Sequence, residues 1–128
     1  MVGIVVVSHS QKLSEGVVEV AKMMAEDAPI AAAGGMEDGE LGTSYEKIQA
    51  AIESVYSEDG VVLLADMGSA VMTAEIVLED LEWDNVIIVD CPLVEGAILA
   101  AIDSVGGRDL PMLVRRLESA HSAKKFDD

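Results

Sequence analysis

The sequence predicts an α/β fold in three layers, a mostly parallel central sheet of about four strands sandwiched between helices. Three observations lead there. Four short apolar runs are nearly continuous rather than alternating, as in strands buried on both faces. Segments with helical spacing separate them. Turn and capping residues sit at the junctions. The first strand covers 2–7 and leads into a helix patterned on Leu13, Val17, Val20 and Met24. A shorter strand near 29–33 is followed by a helix with Tyr45, Ile48, Ile52 and Val55 at helical spacing, stopped by Glu58-Asp59-Gly60. The third strand spans 61–65 and feeds a helix over about 69–82, with Ser69 as its N-cap. The fourth covers 86–89, and Pro92 near the next first turn starts a helix over 93–105 that ends at Gly106-Gly107. A last helix over 109–122 gathers Leu110, Leu113, Val114 and Leu117 on one side. Strands and helices that alternate through the fourth strand imply right-handed crossovers between parallel strands.

A chain of 128 residues is expected to form one domain with a full core. The opening residues carry no basic export region, and no run of 18 apolar residues occurs, so the expected location is the cytoplasm, with no membrane contact. With 8 basic against 24 acidic residues the net charge is −16, which makes nucleic acid and anionic lipid poor partners. The 51% hydrophobic content argues against disorder, so the carboxylates must coat a folded globule. A halophilic cytoplasm accounts for such a coat, because molar salt shortens the Debye length to about 3 Å. The single cysteine, Cys91, permits no internal disulfide, and next to Pro92 it reads as a small packed residue or as part of the rim with Asp90.

The chemistry points to His9. Val2 to Ser10 is an apolar strand that delivers an imidazole at its carboxyl end, the edge where open α/β sheets place their sites. The other histidine, His121, reads as a dipole partner at a helix C-terminus. Strand three ends at Asp66-Met67-Gly68-Ser69-Ala70. If the two strands are neighbours, Asp66 can hydrogen-bond one ring nitrogen, fix the tautomer and leave the other nitrogen an aimed lone pair. Gly68 allows a tight turn, and the helix starting near Ser69 points free N–H groups at the same place, a cradle for an anion. Between Lys47 and Arg108 there is no lysine or arginine, so backbone donors must hold any anion bound by the third and fourth strand loops. These features describe phosphoryl acceptance by an imidazole. Blander readings stand beside it: Asp66 as a helix cap, Ser8 and Ser10 as partners of nearby backbone groups, Gly34-Gly35 and Gly42-Thr43 as turns. A receiver- or flavodoxin-like switch and a scaffold without chemistry keep the same fold, but Ser8-His9-Ser10 occupies the place of a receiver's clustered acids. No His-x-x-x-His spacing marks a metal site and no Gly-x-Ser-x-Gly turn marks a serine hydrolase, so no metal and no cofactor is expected.

Val7-Ser8-His9-Ser10, Asp66-Met67-Gly68-Ser69-Ala70 and Pro92-Leu93-Val94-Glu95-Gly96-Ala97, with Gly42-Thr43 between them, together resemble the enzyme IIA-like domains of the DhaM subunits of dihydroxyacetone kinase. The resemblance covers essentially the whole chain. The wider group is the mannose-class IIA domains of the phosphotransferase system, which typically have glycine after the active histidine; Ser10 and the Asp66-Met67-Gly68-Ser69 run favour the DhaM branch. The resemblance implies a homodimer phosphorylated on His9, with Asp66 orienting the ring, Gly68 and Ser69 lining the phosphoryl pocket, and Gly42 and Thr43 also binding the phosphoryl group. It implies HPr as phosphoryl donor, ADP on the DhaL subunit as acceptor, and DhaK as the subunit holding dihydroxyacetone. Some members continue into fused HPr-like domains; this sequence stops after its last helix, so a separate donor protein is expected.

Overall fold

A computed structural model describes residues 1–122 together with 125 and 126. Four parallel strands, β1 (Gly3–Ser8), β2 (Ile30–Gly34), β3 (Val61–Ala65) and β4 (Val86–Ile88), lie in the order β2-β1-β3-β4. Helices α1 (Gln11–Met24), α4 (Leu93–Val105) and α5 (Leu110–Ser119) cover one face, α2 (Tyr45–Val55) and α3 (Gly68–Leu81) the other. A 3-10 turn, Ala120–Ser122, follows α5.

Burial on both faces follows from the alternation of side chains along a strand. In β1, Ile4 and Val6 pack under α1, α4 and α5, while Val5 and Val7 pack under α2 and α3, all four fully buried. That is why this strand reads as a continuous apolar run. Each such side chain contributes about 1.5–3 kcal/mol on burial, so the two central strands anchor both layers. The registers Val7↔Ala65 and Ser8↔Gly34 bring the carboxyl ends of β1, β2 and β3 to one level.

Two details depart from the sequence reading. The buried stripe of α1 is Ser14, Val17 and Ala21, whereas Leu13, Val20 and Met24 are exposed. Small residues at 14 and 21 let the helix approach the sheet closely, so apolarity alone chose the wrong side. Ser69 is not the cap of α3; the N-cap is Met67, and Ser69 lies inside the first turn.

Close approach also explains Gly34 at the end of β2. A Cβ there would stand 2.3 Å from the Ser10 carbonyl oxygen and 2.2 Å from Ser14 Oγ. Backbone cannot yield as a side-chain tip can, so Gly34→Ala must push the start of α1 off the sheet. The expected loss is about 1–3 kcal/mol, read as a fall in Tm of about 4–12 °C by calorimetry. An unchanged Tm would show that the α1–β2 contact is soft.

Candidate functional site

The strand order places the site. From β1 the chain moves outward to β2, and from β3 it moves outward in the opposite sense to β4, so the crevice of this sheet opens between the ends of β1 and β3. His9 follows β1 and Asp66 follows β3, where the Asp66 amide extends the ladder by donating to the Val7 carbonyl at 3.2 Å.

Across that crevice Asp66 accepts three hydrogen bonds, all from the end of β1. Oδ1 faces His9 Nδ1 at 3.0 Å; Oδ2 takes the His9 amide at 3.0 Å and the Ser8 hydroxyl at 2.8 Å. An ionised carboxylate only accepts, so Nδ1 carries the proton of the neutral ring and Nε2 carries the lone pair. The Ser69 hydroxyl meets Nε2 at 2.6 Å and donates to it. The imidazole keeps 22% of its surface exposed, and the carboxylate 14%. Burial alone would raise the Asp66 pKa. The His9 amide, the Ser8 hydroxyl and the His9 ring outweigh it and hold the carboxyl below its ordinary value. Asp66 is therefore no helix cap.

Around this pair, the N-termini differ. Ser10, Ser44 and Asp109 cap α1, α2 and α5 by accepting from the amides of Leu13, Lys47 and Met112. Met67 and Pro92, the N-caps of α3 and α4, make no side-chain capping bond. The first amides of α3, at Gly68 and Ser69, thus stay available to an anion beside Nε2. A cleft over the ends of β3 and β4 adjoins them, lined by Asp66, Met67, Gly68, Val71, Asp90 and Cys91. Gly68 has no positive φ, and a Cβ there would meet nothing within 4 Å, so the residue is no tight-turn device and leaves open space instead.

Gly42 and Thr43 reach the site indirectly. The Gly42 amide donates to the His9 carbonyl at 2.8 Å, and its φ of 141° suits glycine, so this residue pins the His9 backbone. Thr73 donates to the Ser69 carbonyl at 3.3 Å, which leaves its oxygen to accept from Thr43 at 3.0 Å; Thr43 therefore braces the first turn of α3. Thr73 was invisible in the sequence reading, although its position four residues after Ser69 puts it on the same helix face. His121 sits in the 3-10 turn with Nε2 3.0 Å from the Asp90 carbonyl oxygen, a bond across the fold to the β4–α4 turn rather than to its own helix end. Burial and Asp90 push the Cys91 thiol up to about 11, so it is an inert packed group at neutral pH.

Comparison with known proteins gives the family. Residues 3–114 match the family model described as the PTS system fructose IIA component. The phosphoryl donor subunit DhaM of the PEP-dependent dihydroxyacetone kinase of Escherichia coli K12 is 39% identical over 98% of this chain, which spans only 28% of that protein's length. The DhaM subunit of kinase 2 of Listeria innocua is 36% identical over 94% of this chain and all of its own. Among solved structures, a protein of unknown function, EF1359, superposes with a TM-score of 0.85 at 29% identity, covering 99% of this chain and 100% of that one. The mannose/sorbose specific IIA subunit of Enterococcus faecalis shares the fold, with a TM-score of 0.63 at 20% identity over 98% and 95% of the two chains. The histidine held by a carboxylate at the switch point thus sits in a chain that belongs to the mannose-class EIIA family and, within it, to the DhaM-type subunits.

Proposed function

We propose that this chain is the phosphoryl carrier of a phosphoenolpyruvate-dependent dihydroxyacetone kinase, and that His9 bears the cargo. The observation that carries the reading is the Asp66–His9 pair, which leaves Nε2 the nucleophilic nitrogen at an exposed edge. The role of the relatives as phosphoryl donor subunits supports it.

In the proposed step, Nε2 attacks the phosphorus of a phosphohistidine on HPr. The new N–P bond forms as the donor's N–P bond breaks, and the donor imidazole leaves with the electron pair. Nδ1 keeps its proton throughout, so the phosphorylated ring is an imidazolium whose positive charge faces the ionised Asp66. Ser69 Oγ swings off Nε2 and donates to a phosphoryl oxygen, joined by the amides of Gly68 and Ser69. The reverse chemistry then passes the group to ADP on DhaL, which phosphorylates dihydroxyacetone on DhaK. No cofactor is required of this chain. We place the protein in the cytoplasm, as a homodimer of one domain per chain; no helix among the described residues is long and apolar enough to cross a membrane.

Incubation with phosphoenolpyruvate, enzyme I and HPr is expected to add one phosphate that is labile in acid and stable in base. Adding DhaK and DhaL should yield triose phosphate. A base-labile phosphate would identify an aspartyl switch, no uptake a scaffold, and uptake without triose phosphate a sugar-type IIA domain or a regulatory carrier. His9→Ala should abolish uptake with the fold intact by circular dichroism, and Asp66→Asn should slow it by about 10²-fold or more. A fully active His9→Ala protein would end this reading.

The depressed Asp66 pKa also fixes a pH dependence. Ionisation of Asp66 stabilises the fold above its unfolded-state value, about 3.9, and that stability is lost as pH falls through the lower folded-state value. Denaturant titrations should therefore show a stability gap between wild type and Asp66→Asn that is constant near neutrality and closes only below about pH 4. A gap that closes near pH 6 would mean that Asp66 is not held by these donors.

The charge supports a salt-adapted protein. Two of the three arginines, Arg108 and Arg116, flank Asp103, the one buried carboxylate among the described residues, which leaves one arginine and five lysines against the other 23 acidic residues. Self-repulsion at a net charge of −16 acts over about 10 Å in 0.1 M salt and about 3 Å in 1 M. Thermal melts should rise continuously from dilute buffer to molar KCl, and an unchanged Tm would rule out halophilic adaptation.

A further inference from the structure

Ser8 is the one polar side chain of β1, and it is fully buried. A buried serine usually bonds a backbone group nearby. This one does so and also reaches across the site: Ser8 Oγ accepts the Ser10 amide at 3.0 Å and donates to Asp66 Oδ2 at 2.8 Å. A hydroxyl has a single proton, so with the Ser10 amide pointing at its lone pair the direction of donation to Asp66 is fixed.

The carboxylate needs that donor. Rotation about the last bond of an aspartate is soft, with no sharp well of its own to set the plane of the two oxygens. One hydrogen bond to Oδ2, from the His9 amide, leaves the plane free to swing; two hold it. With Oδ2 held, Oδ1 lies in line with His9 Nδ1.

We propose that Ser8 is a positioning residue for phosphoryl acceptance, its hydroxyl fixing the carboxylate plane of Asp66 and through it the tautomer of His9. The proposal rests on His9 as the phosphoryl acceptor for its consequence in rate, but the tautomer is measurable on the protein without any phosphate. His9 is the titratable group in contact with Asp66; from α3 and the β4–α4 turn, Glu75 and Asp90 line the adjoining cleft.

The test compares wild type, Ser8→Ala and Ser8→Thr as full chains. Long-range 15N spectra of the His9 ring report the tautomer, and phosphate uptake is followed with the protein donor and with phosphoramidate, a small phosphoryl donor. In Ser8→Ala the protonated-Nε2 tautomer should grow, and kcat should fall about tenfold with KM for the protein donor within about twofold. Ser8→Thr, which keeps a hydroxyl, should restore both. A serine that merely packs would lower Tm in Ser8→Ala and leave the tautomer in place, and that result overturns the proposal. Should Ser8→Ala not fold, Ser8→Cys, with its weak donor, must show the same shifts in smaller measure, and its failure to do so is equally decisive. A wild-type protein that takes phosphate from neither donor would sink the carrier reading, while the tautomer comparison still decides the role of Ser8.

Discussion

A single carboxylate ties this molecule's edge together. Asp66 receives every one of its hydrogen bonds from Ser8 and His9, so the ends of two neighbouring strands are joined beyond the last ladder bond. An acid among apolar strand ends costs several kcal/mol if left unpartnered. With three donors it becomes the fixed point from which the imidazole is aimed. The same bonds that make burial of the charge tolerable also choose which ring nitrogen is free, so stability and reactivity here have one origin.

The sheet supplies the geometry that makes this possible. The crossovers from β1 and from β3 leave in opposite senses, which opens a crevice at the junction of these two strands and no other pair. Shielding on both faces by α1, α4 and α2, α3 keeps the strand ends rigid, and the β2–α2 loop adds the Gly42 bond to the His9 carbonyl. On the far side of the site, the Thr43–Thr73 pair braces the turn that carries Ser69. Both walls of the pocket are thereby braced by residues whose hydrogen bonds do not involve Nε2.

Much of this was legible in the residues themselves. Unbroken apolar runs announced strands covered on both faces, and the polar break at Ser8-His9-Ser10 and Asp66 marked where they stop. The helix faces were less legible, because α1 packs through Ser14 and Ala21, whose size rather than polarity suits the close approach at Gly34. Roles that depend on distance were the hardest to read. Ser69 looked like a cap and proved to be the partner of Nε2; Gly42 looked like a turn and proved to hold the His9 backbone. Thr73 and Ser8 could be found only once the register had placed β1 against β3 and the first turn of α3 beside them, since no spacing in the chain encodes a contact between residues 58 positions apart.

A carrier must hold its cargo well enough to receive it and loosely enough to give it away. On the proposed reading the groups that meet a phosphoryl oxygen are two backbone amides and one hydroxyl, while the lining of the adjoining cleft carries Asp66, Glu75 and Asp90. Neutral donors stabilise a dianion less than an arginine fork does, and nearby carboxylates disfavour it further. Asp66 offsets part of that repulsion through the imidazolium between it and the phosphoryl group. On the proposed reading the phosphorylated state is thus maintained chiefly by one ion pair inside the ring's own hydrogen bond, and a partner that brings cationic charge to the rim lowers the barrier in either direction. A tight phosphate-binding pocket would have made a better sink and a poorer courier.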